Sequence, residues 1–116
     1  VKLGADIDMA FRSEARRKEF PKTITFKSLT ELTDISPYAL VINATKLGSL
    51  DHDEMPIEIL NFSPSTVLYD LNYNPMHSKF LRFGNENGLQ IIKGESMLVN
   101  QAMKTQELWI DALKLF

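Results

Sequence analysis

"TVLYDLNYNP", residues 66–75, is an apolar run that halts in a cluster of acids and amides. Val67 and Leu68 lead into Asp70, Asn72 and Asn74, and Pro75 then removes a backbone donor. A short apolar run bounded by turn-forming residues reads as a buried strand. Leu71 and Tyr73 fall at its end, and Pro75 is expected to open a helix. Further along, "KGESMLVNQA", residues 93–102, turns at Gly94 and enters a segment, 96–116, free of glycine and proline.

The same rhythm extends outward in both directions. "IDMAF" (7–11), "TITF" (23–26), "ALVINAT" (39–45), "TVLYDL" (66–71) and "LQIIK" (89–93) are the expected strands. Helices are expected within "SEARRKEF" (13–20), "SLTELT" (28–33), "PMHSKFLRFGNENG" (75–88) and 96–116, with a mixed piece at "MPIEIL" (55–60). The runs at 39–42 and 66–68 are apolar on both faces, as strands covered on both sides are. This βαβα alternation predicts an α/β fold, an open parallel sheet with flanking helices in three αβα layers. There is no repeat, low-complexity tract or linker.

Composition sets the outer limits. The 116 residues amount to one domain, with 44% hydrophobic residues and a formal charge of −2. That balance argues against nucleic acid and anionic membranes as partners. No apolar run approaches the roughly 20 residues a membrane-spanning helix needs, and "VKLGADIDMAF" lacks the order of a signal peptide. The absence of cysteine removes disulfides and thiolate nucleophiles and fits a cytoplasmic protein. With two histidines and no paired ligand motif, "DHDE" (51–54) reads as a solvated loop, so no metal site is expected. Met97, Leu98, Met103, Leu108 and Trp109 are expected to pack into the core.

Candidate ligand residues collect at the expected strand ends. In open α/β sheets ligands bind beyond the carboxyl edge of the strands. Arg12 stands at the end of the first run, Ser13 beside it is a residue type that can cap the following helix, and Arg16 follows. Arg12 and Arg16 can converge on one anion near that helix start, the alternative being a solvated basic face shared with Arg17 and Lys18. Asn43, Ala44 and Thr45, then Gly48, place small polar groups at the same edge, where an ordinary loop exit is the other reading. Tyr73 offers a phenolic group to a ligand hydroxyl or carboxylate, the other reading being a partly buried ring with its tip in water. Gln101 suits a polyhydroxylated ligand, the other reading being a surface glutamine. "VKLG" reads as the last turn of a helix closed by Gly4. Glycines stand only at 4, 48, 84, 88 and 94, so no Gly-rich phosphate loop is present.

Taken in order, these pieces resemble the C-terminal, nucleotide-binding domain of shikimate dehydrogenases over nearly the whole chain. "FRSEAR" is similar to that family's Asn-Arg-Thr motif and the arginine beyond it, and "NATKLG" to its Asn-Ala-Thr-x-x-Gly turn. "YDLNYNPMHSKFL" matches Asp-x-x-Tyr-x-Pro-x-x-Thr, and "GESMLVNQA" matches Gly-x-x-Met-Leu-x-x-Gln-Ala. Phe11 stands where the family has Asn, so an aromatic ring could stack near the adenine, and Ser78 stands where it has Thr.

The resemblance implies a Rossmann-like domain and reversible reduction of 3-dehydroshikimate to shikimate with NADPH, in aromatic amino-acid biosynthesis. It implies that Arg12, Ser13 and Arg16 hold the adenosine 2′-phosphate, that Thr45 lies beside the cofactor, and that Leu71 and Gly94 line the nicotinamide pocket. Tyr73 and Gln101 would reach the substrate. The family's catalytic Lys and Asp belong to an N-terminal domain that these residues do not include. The chain is thus expected to be a fragment of a longer enzyme, monomeric or homodimeric, and inactive alone. The family's first strand, expected between its second and fourth, would be missing, leaving a gap or abnormal pairing. Quinate as substrate, NAD as cofactor, or a non-enzymatic interaction module on the same scaffold are the alternatives.

Overall fold

Each of the five apolar runs forms a strand, and every strand pair is parallel. The structure is a computed structural model that describes residues 4–115. The strands are β1 (Asp8–Phe11), β2 (Thr25–Ser28), β3 (Leu40–Asn43), β4 (Val67–Asp70) and β5 (Gln90–Ile92). The helices are α1 (Lys79–Glu86) and α2 (Gly94–Leu113), with a 3-10 helix at Glu14–Glu19 between β1 and β2. Sequence-adjacent strands running in parallel require a crossover between them, which the intervening segments supply.

The strands form two sheets, β1–β2 and β3–β4–β5, with no ladder between β1 and β3. Side chains bridge that break. The Tyr38 hydroxyl, just ahead of β3, donates to Asp8 at the start of β1 at 2.7 Å. Lys27 of β2 lies 3.4 Å from the same carboxylate and 5.7 Å from the centre of the Tyr38 ring.

Register explains which face is packed. Val41, Leu68 and Ile91 stand side by side on one face of the larger sheet. Leu68 is fully buried there with Phe80 and Leu81 of α1, Ile35, Ile57 and Leu89. Gly84 permits the close approach of helix to sheet, because a Cβ would sit 2.8 Å from Ile91 Cγ2 and 2.9 Å from Leu68 Cδ1. The opposite face carries Leu40 and Ile42, which remain 46% and 49% exposed, so the described residues do not fill the second helical layer.

The smaller sheet is held differently. Phe11, Phe20 and Phe26 meet with ring centres 5.3–6.1 Å apart, and the Arg17 guanidinium lies 5.4 Å from the Phe26 centre. Phe11, where the resemblance suggested stacking on a ligand, has its ring beside those of Phe20 and Phe26.

Several expectations are corrected. "SLTELT" forms no helix: Ser28 closes β2, and the chain turns through bonds from Glu31 N and Leu32 N to Ser28 O. Asp34 then captures the Ser36 amide, the competition by which a short polar side chain displaces helix. Pro75 does not open a helix. Its peptide bond with Asn74 is cis, and α1 begins at Lys79 behind Ser78, whose hydroxyl accepts from Leu81 N. The apolar residues of α2 are not core: Met103 is 58% and Trp109 68% exposed, and Gly94 alone is buried in that helix. At about 30 Å the helix is long enough to leave the body of the domain, whose longest extent is 55 Å. The helical turn expected at "VKLG" lies outside the described residues, apart from Gly4 itself with φ +70°. No helix among the described residues is long and apolar enough to cross a membrane, and they contain no group of His, Asp and Glu placed to hold a metal ion.

Candidate functional site

The carboxyl edge of β3 and β4 is built on a buried carboxylate. Asp70 and Asn43 are register partners at the ends of their strands, and both are buried. Asp70 accepts from Asn43 Nδ2 at 3.2 Å, from Asn72 N and Nδ2 at 2.9 Å each, and from the Ser78 hydroxyl at 2.5 Å. A carboxyl group taken out of water this completely persists only where donors replace the lost hydration. No buried side-chain polar atom among the described residues lacks a partner.

The same amides fix the loop after β3. Asn43 Oδ1 accepts from the Thr45 amide at 3.1 Å and its hydroxyl at 2.8 Å, while Asn43 Nδ2 donates to Leu47 O at 2.7 Å. Asn72 Nδ2 lies 3.0 Å from Thr45 O and 3.2 Å from Leu47 O. Gly48 closes the turn at φ +100°, where a Cβ would come within 3.0 Å of Ser78 Cβ and 3.3 Å of Asp70 Oδ2. Thus "NATKLG" and "YDLNYNPMHS" form one hydrogen-bonded block. Asp53 ties the following loop to α1, accepting from Lys79 N at 3.3 Å and pairing with Arg82 at 3.0 Å. The Arg82 guanidinium holds the Asp53 carboxyl below its ordinary range.

Between this block and the end of β1 lies a cleft of about 450 Å³. Phe11 and Arg12 form its wall at the β1 end, facing Thr45, Lys46 and Leu47 after β3, with His52 also lining it. It sits where the two sheets part, beyond the carboxyl ends of parallel strands, which is where open α/β folds take ligands.

The expected site residues divide into three groups. Arg12 and Thr45 line this cleft together. Ser13 lies beside Arg12, and its hydroxyl caps the 3-10 helix by accepting from Ala15 N at 3.3 Å. Arg16 does not line the cleft; it pairs with Glu19 at 3.3 Å on the surface. Leu71 and Gly94 are in contact at the other end of the edge: a Cβ on Gly94 would lie 2.6 Å from Leu71 O, so only glycine lets α2 start there. Tyr73 and Gln101 are exposed, and no hydrogen bond joins their side chains to other described residues. Lys46, inside "NATKLG" but given no role there, and His52, read within "DHDE" as part of a solvated loop, also line the cleft.

No protein-family model matches the chain. Among curated proteins, the shikimate dehydrogenase (NADP(+)) of Clostridium botulinum strain 657 is 37% identical over 97 residues, covering 83% of this chain and 38% of that protein. The enzyme of the same name from Microcystis aeruginosa is 32% identical, covering 90% of this chain and 42% of its own length. The chain therefore spans about two fifths of these relatives. Among solved structures, shikimate 5-dehydrogenase from Thermus thermophilus, in complex with NADP(H) and shikimate, superposes with a TM-score of 0.78 at 24% identity. The match covers 93% of this chain and 41% of that one, and it shows a shared fold. By sequence, the chain is similar over 83–90% of its length to a stretch of these shikimate dehydrogenases.

Proposed function

We propose that the chain is the cofactor-binding part of an NADP-dependent shikimate dehydrogenase, which reversibly reduces 3-dehydroshikimate to shikimate. The supporting observation is the cleft at the break between the sheets, with Arg12 on its wall and free of any ion pair among the described residues. NADPH, when bound, supplies the hydride. The residues present suit such a cofactor at both ends of the edge: a roomy, cation-lined cleft on one side and, on the other, Gly94 without a side chain against Leu71.

In this reading Arg12, Ser13 and Arg16 hold the adenosine phosphate. The Arg16–Glu19 pair is exposed and therefore weak enough to exchange for a phosphate. Thr45 is fixed by Asn43 and presents a rigid wall. Leu71 and Gly94 flank the reactive ring, while Tyr73 and Gln101 orient the substrate hydroxyls. The groups that handle the proton at the reacting oxygen are supplied by a separate substrate-binding domain of the intact protein, and a further strand lies between β1 and β3. The isolated chain is then inactive.

The test is shikimate oxidation by the intact protein that carries this chain, with NADP and NAD in parallel. Arg12→Ala is expected to raise KM for NADP about tenfold or more and leave NAD use nearly unchanged. Gln101→Ala is expected to weaken shikimate use with either cofactor. An intact protein that ignores shikimate with both cofactors sinks the reading, and turnover of quinate or preference for NAD redirects it.

A further inference from the structure

The cleft holds a second cation with no role in the pattern that led to it. Lys46 lines the cleft from the β3 side, and Arg12 lines it from the β1 side. Neither side chain has an ion-pair partner among the described residues that would compete with a bound anion.

The backbone under Lys46 is unusually well fixed for a loop residue. Its carbonyl accepts from Ser49 N at 3.1 Å. The carbonyls on either side of it, Thr45 O and Leu47 O, are both within reach of Asn72 Nδ2. The Leu47 amide also donates to the Thr45 hydroxyl at 3.1 Å. A long side chain on an anchored backbone loses less freedom when it engages a ligand. Charge balance adds a second reason. Glu54 lines the same cleft, so Arg12 alone would be offset by that carboxylate. Lys46 tips the site to net positive.

We propose that Lys46 is a specificity-determining residue: with Arg12 it forms a two-sided site for a phosphate monoester on the ribose of an adenine nucleotide. The inference rests on the cofactor assignment above and deepens it. An ammonium serves here as a point charge and needs no fixed fork geometry. Because the side chain is exposed, its contribution falls as ionic strength rises.

The experiment is calorimetric titration of the intact protein with 2′,5′-adenosine diphosphate and, separately, 5′-adenosine monophosphate. Wild type, Lys46→Gln, Lys46→Arg and Glu54→Gln are compared, with circular dichroism to confirm that each is folded. Lys46→Gln is expected to weaken the bisphosphate about tenfold and to leave the monophosphate within about twofold. Lys46→Arg should recover most of the loss, and Glu54→Gln should tighten the bisphosphate. If wild type prefers the bisphosphate and Lys46→Gln keeps that preference, the role of Lys46 is refuted while the cofactor assignment stands. If wild type binds neither nucleotide, or binds both equally, the NADP assignment falls and this inference with it.

Discussion

The two sheets use the same parallel pairing in strands of similar length, yet they are stabilised by different means. The β3–β4–β5 sheet has a helix against one face, six fully or nearly buried apolar side chains, and a buried carboxylate network along its carboxyl edge. The β1–β2 sheet has no fully buried residue; three half-buried phenylalanines and one tyrosine–aspartate–lysine cluster hold it. Parallel pairing alone therefore does not confer equal stability. A two-stranded sheet is marginal without a covering layer, and burial decides which strands are robust.

The largest effect expected from that contrast is at Phe80. Phe80→Ala should cost about 4 kcal/mol in denaturant unfolding, because the ring is fully buried beneath β4. Phe26→Ala, in a half-open cluster, should cost about 1 kcal/mol. Equal losses would abolish the distinction between the sheets.

Next in size is the polar edge. Asp70→Ala should cost about 3 kcal/mol, because it strands donors of Asn43, Asn72 and Ser78 in a buried site. Hydrogen exchange should show protection lost in the loop after β3 as well as after β4, since one carboxylate organises both. Loss confined to the β4 loop would show that the block is not a unit.

The smallest effect concerns the bridge across the break. The Tyr38 hydrogen bond, and then Lys27, hold the Asp8 carboxyl below its ordinary range. Its contribution to stability is therefore fully present above about pH 4 and fades as pH falls through the lower folded value. Tyr38 and then the Asp8 carboxylate, both beside its ammonium, raise Lys27, so its share is fully present below about pH 10 and fades as pH rises through the folded value. Tyr38→Phe should leave the larger sheet unchanged and speed amide exchange in β1, with a shallower loss of stability in acid. Unchanged exchange in β1 would mean that the phenylalanine cluster alone seats the smaller sheet.

Much of this was legible in the residues. The five strands fall within about two residues of their apolar runs, because alternation and β-branched content reflect the same pleat that the backbone adopts. The motif residues were visible too, but their division of labour was not. Asn43 looked like part of an edge facing a ligand; with Asp70 and Ser78 it turns out to be the buried bracket beneath that edge. Helix at 28–33 and a core role for Trp109 were misread, since local composition does not reveal whether a polar side chain will capture a nearby amide or whether a surface will be there to cover a ring.

The order of strands, the parallel class and the likeness to shikimate dehydrogenases could all be read along the chain, because periodicity and motif spacing are local properties. Folding in three dimensions was needed to split the sheet between β1 and β3, to set Arg12 facing Lys46 across the split while Arg16 turns to Glu19, and to leave the apolar residues of α2 in water. Those outcomes depend on contacts between residues distant in the chain, which no local pattern encodes.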